Sequence, residues 1–187
     1  MTVPERTAPL VPSRTQSNVV GRSALSALAA VSLEETIEAI DGANTRDEAT
    51  AALMKHVGVR FESSLLFTIK EGAALGFRGH GAGLTAEAVT AVTIPLSVPS
   101  LVKAAFSAKA TATSAPPGAI QGRLLKLLGD PSRPRSTPIV VGGRVACVLV
   151  VGDATGDPHQ AATELDRLAE AISLTYTRIV RESKPKR

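Results

Sequence analysis

Histidine and cysteine carry the most reactive side chains of this sequence, and both are rare in it. The three histidines, His56, His80 and His159, lie far apart, and no two have the i, i+4 spacing with which a helix presents a pair of metal ligands. The single cysteine, Cys147, stands in an apolar segment, so one chain can form neither a disulfide nor a multi-cysteine metal site. We expect neither a metal ion nor a cofactor.

Nucleophilic catalysis needs a nucleophile held next to a base, and no motif of that kind is present. No serine stands in the G-x-S-x-G turn that exposes a nucleophile. His56 shares one face of a predicted helix with Leu53 and Val57, which is more typical of a hydrogen-bonded structural histidine than of a ligand. His80 can line the mouth of a pocket, but its glycine-rich surroundings lack the Lys and Ser/Thr of a phosphate loop. We expect no enzymatic activity.

The composition favours a globular domain with an aliphatic core. Hydrophobic residues make up 44% of the 187 residues, whereas aromatic residues make up only 3%. The net charge is +4, and part of the excess lies in a central group of Arg123, Lys126, Arg133 and Arg135. These side chains either form a solvated surface or contact an acidic partner. Nucleic acid is the less favoured partner, because no aromatic residues accompany the charges for base stacking.

The sequence is expected to divide into one domain and two tails. Residues 1–21, with three prolines, are expected to be a disordered tail or else a short docking peptide. Residues 22–183 are expected to form a single domain that includes an N-terminal helix, and residues 184–187 a basic tail. No apolar run is long enough to span a membrane and no signal-peptide core is present, so we expect a cytoplasmic protein without membrane contact.

Local patterns predict helices at both ends of the domain and hairpins between them. Ser32 with Glu35, and Thr45 with Glu48, have the spacing of capping boxes; the first can start a fresh helix within the helical run 22–40. The remaining predicted elements are a helix to Val59, strands Ser63–Lys70 and Ala73–Arg78, short helices Ala86–Val92, Pro99–Ala108 and Ile120–Leu128, short strands Thr93–Leu96 and Ala110–Ser114, and a final helix Pro158–Glu182.

The segment Thr137–Val151 predicts a second hairpin, because Gly142 and Gly143 supply the positive φ angles of a tight turn. Its strands are too apolar for a sheet wetted on one side, so we expect the hairpin at the centre of a sheet covered on both faces. Because hairpins join most of the strands, the element order predicts an α+β domain with a largely antiparallel sheet.

Residues 45–180 resemble a GAF domain. The resemblance rests on Pro138-Ile139, on the glycine turn with the following strand to Leu149, and on Leu165–Ile172, which is similar to the family's closing L-x-x-L-A-x-x-I. It implies a GAF-like (profilin-like) α+β fold with helices on both faces of a largely antiparallel sheet. Cys147 stands where the family usually has glycine, and the Asn-Lys-Phe-Asp-Glu set of cyclic-nucleotide-binding relatives has no match, so the resemblance implies the fold and no particular ligand.

The resemblance makes a non-catalytic regulatory or protein-interaction module of bacterial signalling the leading interpretation. Such a module would bind a protein partner and be homodimeric, because helices that flank GAF domains commonly pair across a dimer. Two apolar stripes are candidates for that interface: Leu25, Leu28, Leu33, Ile37 and Ile40 in the first helix, and Leu165, Leu168, Ile172 and Ile179 in the last. The alternative is that both stripes pack on their own sheet.

A small-molecule sensor is the second interpretation. The ligand would lie between the sheet and the short helices, with Arg78 as the partner of an anionic group. The residues expected to touch it are Phe77, Arg78, His80, Leu84, Phe106 and Thr111. Methionine-sulfoxide reductase activity, which some GAF proteins have, needs more cysteines than this chain supplies.

Overall fold

The computed structural model describes residues 32–183. The predicted tails 1–21 and 184–187, and the residues Leu25 and Leu28 of the first apolar stripe, lie outside the described residues. Along the described chain the elements are α1 (Leu33–Asp41), α2 (Arg46–Arg60), β1 (Ser64–Lys70), β2 (Ala73–His80), α3 (Ala86–Thr90), β3 (Thr93–Pro95), α4 (Leu101–Ala108), α5 (Ala119–Leu127), β4 (Arg135–Val141), β5 (Arg144–Val151) and α6 (Pro158–Glu182).

The helix starts follow the predicted caps. The Ser32 hydroxyl accepts a hydrogen bond from the Glu35 backbone N–H at 3.1 Å, while the Glu35 carboxylate accepts one from the Ser32 N–H at 3.0 Å. Thr45 and Glu48 make the same reciprocal pair at the start of α2. Both capping boxes are confirmed, because a cap depends only on residues that are neighbours in sequence.

The five strands form one antiparallel sheet in the order β3-β2-β1-β5-β4. The glycine turn is confirmed, with φ of 57° at Gly142 and 79° at Gly143. The prediction that the second hairpin lies at the centre of the sheet is wrong for β4. Because β1 pairs with β2 on one side and β5 on the other, β1 is central and β4 is an edge strand.

Local contacts cover the exposed side of β4. Ser136 exchanges two backbone hydrogen bonds of 2.8 Å with Ala112, which is all that remains of the predicted strand 110–114. Pro138 has no N–H to offer, and the Val140 N–H donates to the Ser173 hydroxyl at 3.0 Å. These contacts leave little of the edge open to pairing with another strand.

Helices cover both faces of the sheet, as predicted. We call the face under α1, α2 and α6 the long-helix face; its sheet residues include Leu66, Ile139 and Leu149. We call the face under α3, α4 and α5 the short-helix face; its sheet residues include Leu65 and Phe67. Among the described helices, none combines the length and the apolar content needed to cross a bilayer.

The described residues of the two apolar stripes pack inside the domain. Their fully or almost fully buried members are Ile40, Leu165, Leu168, Ile172 and Ile179. Leu33 and Ile37 are partly buried against the same core. These side chains therefore pack on their own sheet, which is the alternative given above. Their burial leaves them unavailable for the predicted dimer interface.

Candidate functional site

The space between the sheet and the short helices, where a ligand was expected, is filled by the core. A Cβ at Gly76 of β2 would overlap the carbonyl oxygen of Val89, and one at Gly79 would lie 2.6 Å from a Val89 methyl carbon. Helix α3 therefore rests directly on the backbone of β2. Leu65 and Phe67 are fully buried beneath it. A small cleft of about 220 Å³ lies on this face, between residues 91–94 and α5.

The six predicted ligand residues do not form one site. Phe77, Arg78 and His80 belong to β2 and lie on the long-helix face, where Arg78 approaches Asp47 of α2 and the His80 ring lies against Gly58. The predicted loop at His80 is therefore part of a strand.

The other three predicted residues lie elsewhere. Leu84 and Phe106 pack against the core of the short-helix face. The Thr111 hydroxyl lies 3.1 Å from both the Thr137 hydroxyl and the Asp166 carboxylate of α6.

A β-bulge explains why Phe77 and Arg78 share a face. Leu66 pairs with Arg78 and Phe67 pairs with Gly76, so Phe77 is an extra residue in β2. In a regular strand, neighbouring side chains point to opposite faces, whereas a bulge re-aims one of them. Alternating sequence patterns do not reveal such an insertion.

Phe77 opens onto a cleft of about 770 Å³ on the long-helix face, which we call the aromatic cleft. The start of α2, the end of α6 and the adjoining strands form its walls. Its lining residues are Asn44, Thr45, Arg46, Asp47, Thr68, Ile69, Phe77, Val141, Ala146, Cys147, Tyr176, Ile179, Val180 and Ser183. The cleft thus combines aliphatic side chains with two aromatic rings and a polar rim.

Guanidinium groups lie beside both rings of the aromatic cleft. The Arg78 guanidinium is 5.3 Å from the centre of the Phe77 ring, and that of Arg46 is 5.8 Å from the Tyr176 ring. Arg78 also pairs with Asp47 at 3.8 Å. Within residues 32–183, no acidic oxygen lies within 4 Å of the Arg46 guanidinium.

The two titratable groups deeper in the cleft stay protonated near neutral pH. Burial raises the pKa of Cys147 to about 11 against the opposing charge of Arg46, so the thiol is a poor nucleophile. Burial also raises the pKa of Tyr176, although the hydrogen bond with the Thr50 hydroxyl opposes this. Cys147 is therefore not an activated nucleophile in this cleft.

A second cleft of about 680 Å³, which we call the polar cleft, lies where β4 begins, β5 ends and α6 starts. Arg133, Arg135, Asp153 and His159 are among its lining residues. Burial by itself raises the pKa of Asp153, but hydrogen bonds from the Ser132 and Arg133 backbone N–H groups outweigh it and lower the pKa. Among the described residues, no acidic oxygen lies within 4 Å of either guanidinium.

A buried chain of polar groups joins α1, α2 and α6. His56, only 4% exposed, has its Nδ1 atom 2.9 Å from the Thr36 hydroxyl and its Nε2 atom 3.2 Å from a Glu164 carboxylate oxygen. Arg60 donates two hydrogen bonds to the same carboxylate, at 2.7 and 2.8 Å. The structural role predicted for His56 is confirmed, while its partner in α6, 108 residues away, was beyond local sequence patterns.

The order of hydroxyl, imidazole and carboxylate in this buried chain is that of a hydrolase triad, but its position excludes that chemistry. Thr36 is only 2% exposed, so no substrate reaches its hydroxyl. Within residues 32–183, no group of three His, Cys, Asp or Glu side chains lies close enough together to hold a metal ion. These hydrogen bonds therefore hold α1, α2 and α6 together.

These features define an α+β domain with a closely packed short-helix face and two larger clefts, the aromatic cleft and the polar cleft. No protein-family model matches the chain, and no curated protein matches it. Its fold does match solved GAF domains. One, from a Coxiella burnetii phosphoenolpyruvate-protein phosphotransferase, has a TM-score of 0.63 at 14% identity, over 80% of this chain and 93% of that one.

Two further neighbours have the same fold in other settings. The GAF domain of a two-component sensor histidine kinase from Bacillus halodurans has a TM-score of 0.60 at 14% identity, over 76% of this chain and 100% of that one. Free methionine-R-sulfoxide reductase from Neisseria meningitidis, solved with its substrate, has a TM-score of 0.58 at 14% identity, over 87% of this chain and 94% of that one. The chain therefore has a GAF-like fold, which confirms both the resemblance and the predicted fold class.

Proposed function

We propose that this chain is a non-catalytic regulatory module of bacterial signalling that works in the cytoplasm by contact with a protein partner. The solved neighbours from a phosphotransferase and a sensor histidine kinase support the signalling setting. The filled short-helix face is the observation that carries the choice of a protein over an interior ligand.

An interior ligand on the short-helix face would have to displace well-packed side chains. Phe67, Leu65 and Val89 are all between 0 and 1% exposed there. Exposing one side chain of this size costs about 1.5–3 kcal/mol, and moving α3 off β2 exposes several at once. Recognition at the surface carries no such cost.

The polar cleft is the surface that best fits a partner. Arg133 and Arg135 have no described acidic partner within 4 Å, while the Asp153 carboxylate is occupied by backbone donors. A positive surface of this kind favours an acidic segment and accelerates its association, most strongly at low salt.

The test compares the full chain with charge-reversed variants as bait in an extract of the native host. The double variant Arg133→Glu/Arg135→Glu should lose the partner that the wild type captures, and the capture should weaken as salt rises. The matched control, Arg123→Glu/Lys126→Glu, reverses two exposed charges outside the polar cleft and should keep the partner. Equal capture by all three proteins would contradict the proposal.

The proposed module is a homodimer. Because the described residues of the apolar stripes pack inside the domain, the exposed side of α6 is the better candidate interface, and its Leu174 is 65% exposed. Light scattering should give twice the chain mass for the wild type and for the control Thr163→Glu on the same helix, and the single mass for Leu174→Glu. A wild type of single mass at all concentrations would exclude the dimer.

A further inference from the structure

The aromatic cleft concentrates a scarce residue type. It is lined by Phe77 and Tyr176, which are two of only five aromatic side chains in the chain. Phe77 is 38% exposed, although a phenylalanine gains most when it is fully buried. The bulge in β2 holds the ring at this exposed position. Ring and cleft together form a concave, partly apolar surface that no described side chain fills.

The charges at the rim of the aromatic cleft favour an anion. Asp47 is the acidic residue of the lining, and it pairs with Arg78. Glu48 stands next to it in α2, but its carboxylate accepts hydrogen bonds from the Asn44 and Thr45 backbone N–H groups at the helix cap. The Arg46 guanidinium therefore remains without an ion-pair partner among the described residues, beside an aromatic ring.

We propose that the aromatic cleft binds a small molecule with a planar aromatic ring and a carboxylate group. The ring packs against the exposed Phe77, while the buried Tyr176 forms part of the cleft wall. The carboxylate accepts hydrogen bonds from Arg46, whose planar guanidinium suits bidentate contact with a carboxylate. The cleft volume of about 770 Å³ is within the usual range of small-molecule sites. This site lies on the face opposite the one where a ligand was expected, and it is independent of the proposed protein contact.

The protonation states of the lining fit this ligand. The Cys147 thiol and the Tyr176 hydroxyl are uncharged near neutral pH, so neither repels a carboxylate. The Tyr176 hydroxyl is already hydrogen-bonded to Thr50 and the residue is only 4% exposed, so Phe77 supplies the main aromatic contact surface. The guanidinium is thus the main group that discriminates a charged ligand from a neutral one.

The probe is 2-naphthoate, titrated into the full chain by calorimetry and followed by NMR. For a ligand of this size we expect saturable binding with a Kd of about 0.1–1 mM. The neutral analogue 2-naphthalenemethanol and the aliphatic carboxylate decanoate should each bind at least about fivefold more weakly, because each lacks one of the two contacts.

Two variants assign the binding to the aromatic cleft. Arg46→Gln should weaken naphthoate binding about tenfold and leave the neutral analogue unchanged, while Phe77→Ala should weaken both aromatic probes. Both side chains are exposed, so the variants should keep the fold, and the matched control Arg123→Gln should bind as the wild type does. Absence of saturable binding up to 10 mM, or binding that neither variant weakens, would overturn the proposal. Arg46→Gln should still capture the protein partner, because that contact is proposed for the polar cleft. Loss of naphthoate binding and loss of the partner can therefore be told apart.

Discussion

Replacing Gly76 by Ala tests whether helix α3 really seals the short-helix face. The added methyl group would overlap the Val89 carbonyl oxygen and lie 3.0 Å from its carbon. These are backbone atoms, so α3 itself would have to move. The Gly76 N–H also donates to the Val92 carbonyl at 2.9 Å, and that hydrogen bond would be strained by the same movement.

The expected loss of stability combines two effects. Overpacking a buried contact costs about 1–3 kcal/mol, and a weakened backbone hydrogen bond costs about 0.5–1.5 kcal/mol. The lower entropy of alanine in the unfolded chain returns about 0.4–1 kcal/mol. We therefore expect Gly76→Ala to lower the free energy of unfolding by about 1–4 kcal/mol, which for a domain of this size lowers Tm by roughly 3–15 °C.

Urea denaturation of the full chain measures this change, and Gly122→Ala is its matched control. Gly122 lies inside α5, where nothing lies within 4 Å of an added Cβ, so alanine should stabilise the helix by about 0.5–1 kcal/mol. We therefore expect Gly76→Ala to lower the free energy of unfolding and Gly122→Ala to raise it. A Gly76→Ala variant as stable as the wild type would refute the close approach of α3 and reopen the short-helix face to a ligand.

Three further predictions concern other parts of the domain. Burial by itself raises the pKa of Glu164, but hydrogen bonds from His56 and Arg60 outweigh it and lower the pKa. Glu164→Gln should therefore lower the free energy of unfolding by about 1.5–3 kcal/mol at pH 7. In urea denaturation, the difference in stability from the wild type should shrink as the pH falls below about 4.3. The reason is that the stabilisation is lost when the carboxylate of the folded protein takes up a proton. A difference independent of pH would contradict this. Because the pKa of Cys147 is about 11 instead of 9.0, alkylation with iodoacetamide at pH 8 should be at least about 100-fold slower than for an unfolded control in urea, and equal rates would refute its burial. Ser173→Ala should cost about 1 kcal/mol in thermal unfolding, because the Val140 N–H loses its acceptor, and an unchanged Tm would show that water replaces it.

Local signals in the sequence predicted most helices and strands. The features that the sequence did not predict depend on residues far apart in the chain. The caps at Ser32 and Thr45 and the turn at Gly142 depend on residues within four positions, so spacing alone predicted them. The place of β4 at the sheet edge depends on how β1 inserts between β2 and β5, which no local pattern encodes. The pairing of His56 with Glu164 is non-local in the same way, since only the fold brings α2 and α6 together.

The site residues were harder to predict because β2 is irregular. Alternation in a regular strand places Phe77 and Arg78 on opposite faces, but the bulge brings both to the long-helix face. Gly76 and Gly79 did carry a usable signal, because glycine inside a strand marks a close approach of another backbone. Which face that backbone covers still depends on the bulge, because regular alternation places positions 76 and 79 on opposite faces.

The two faces of the sheet differ in how closely their helices pack on it. On the short-helix face, α3 rests on Gly76 and Gly79, and the side chains beneath it are fully buried. On the long-helix face, the hydrogen-bonded groups from Thr36 through His56 to Glu164 join three helices at one place, and the start of α2 and the end of α6 line the aromatic cleft at another. A molecule that fills that cleft contacts two of the three fastened helices at once. If the proposed ligand binds there, it would contact both helices without opening the core of the short-helix face.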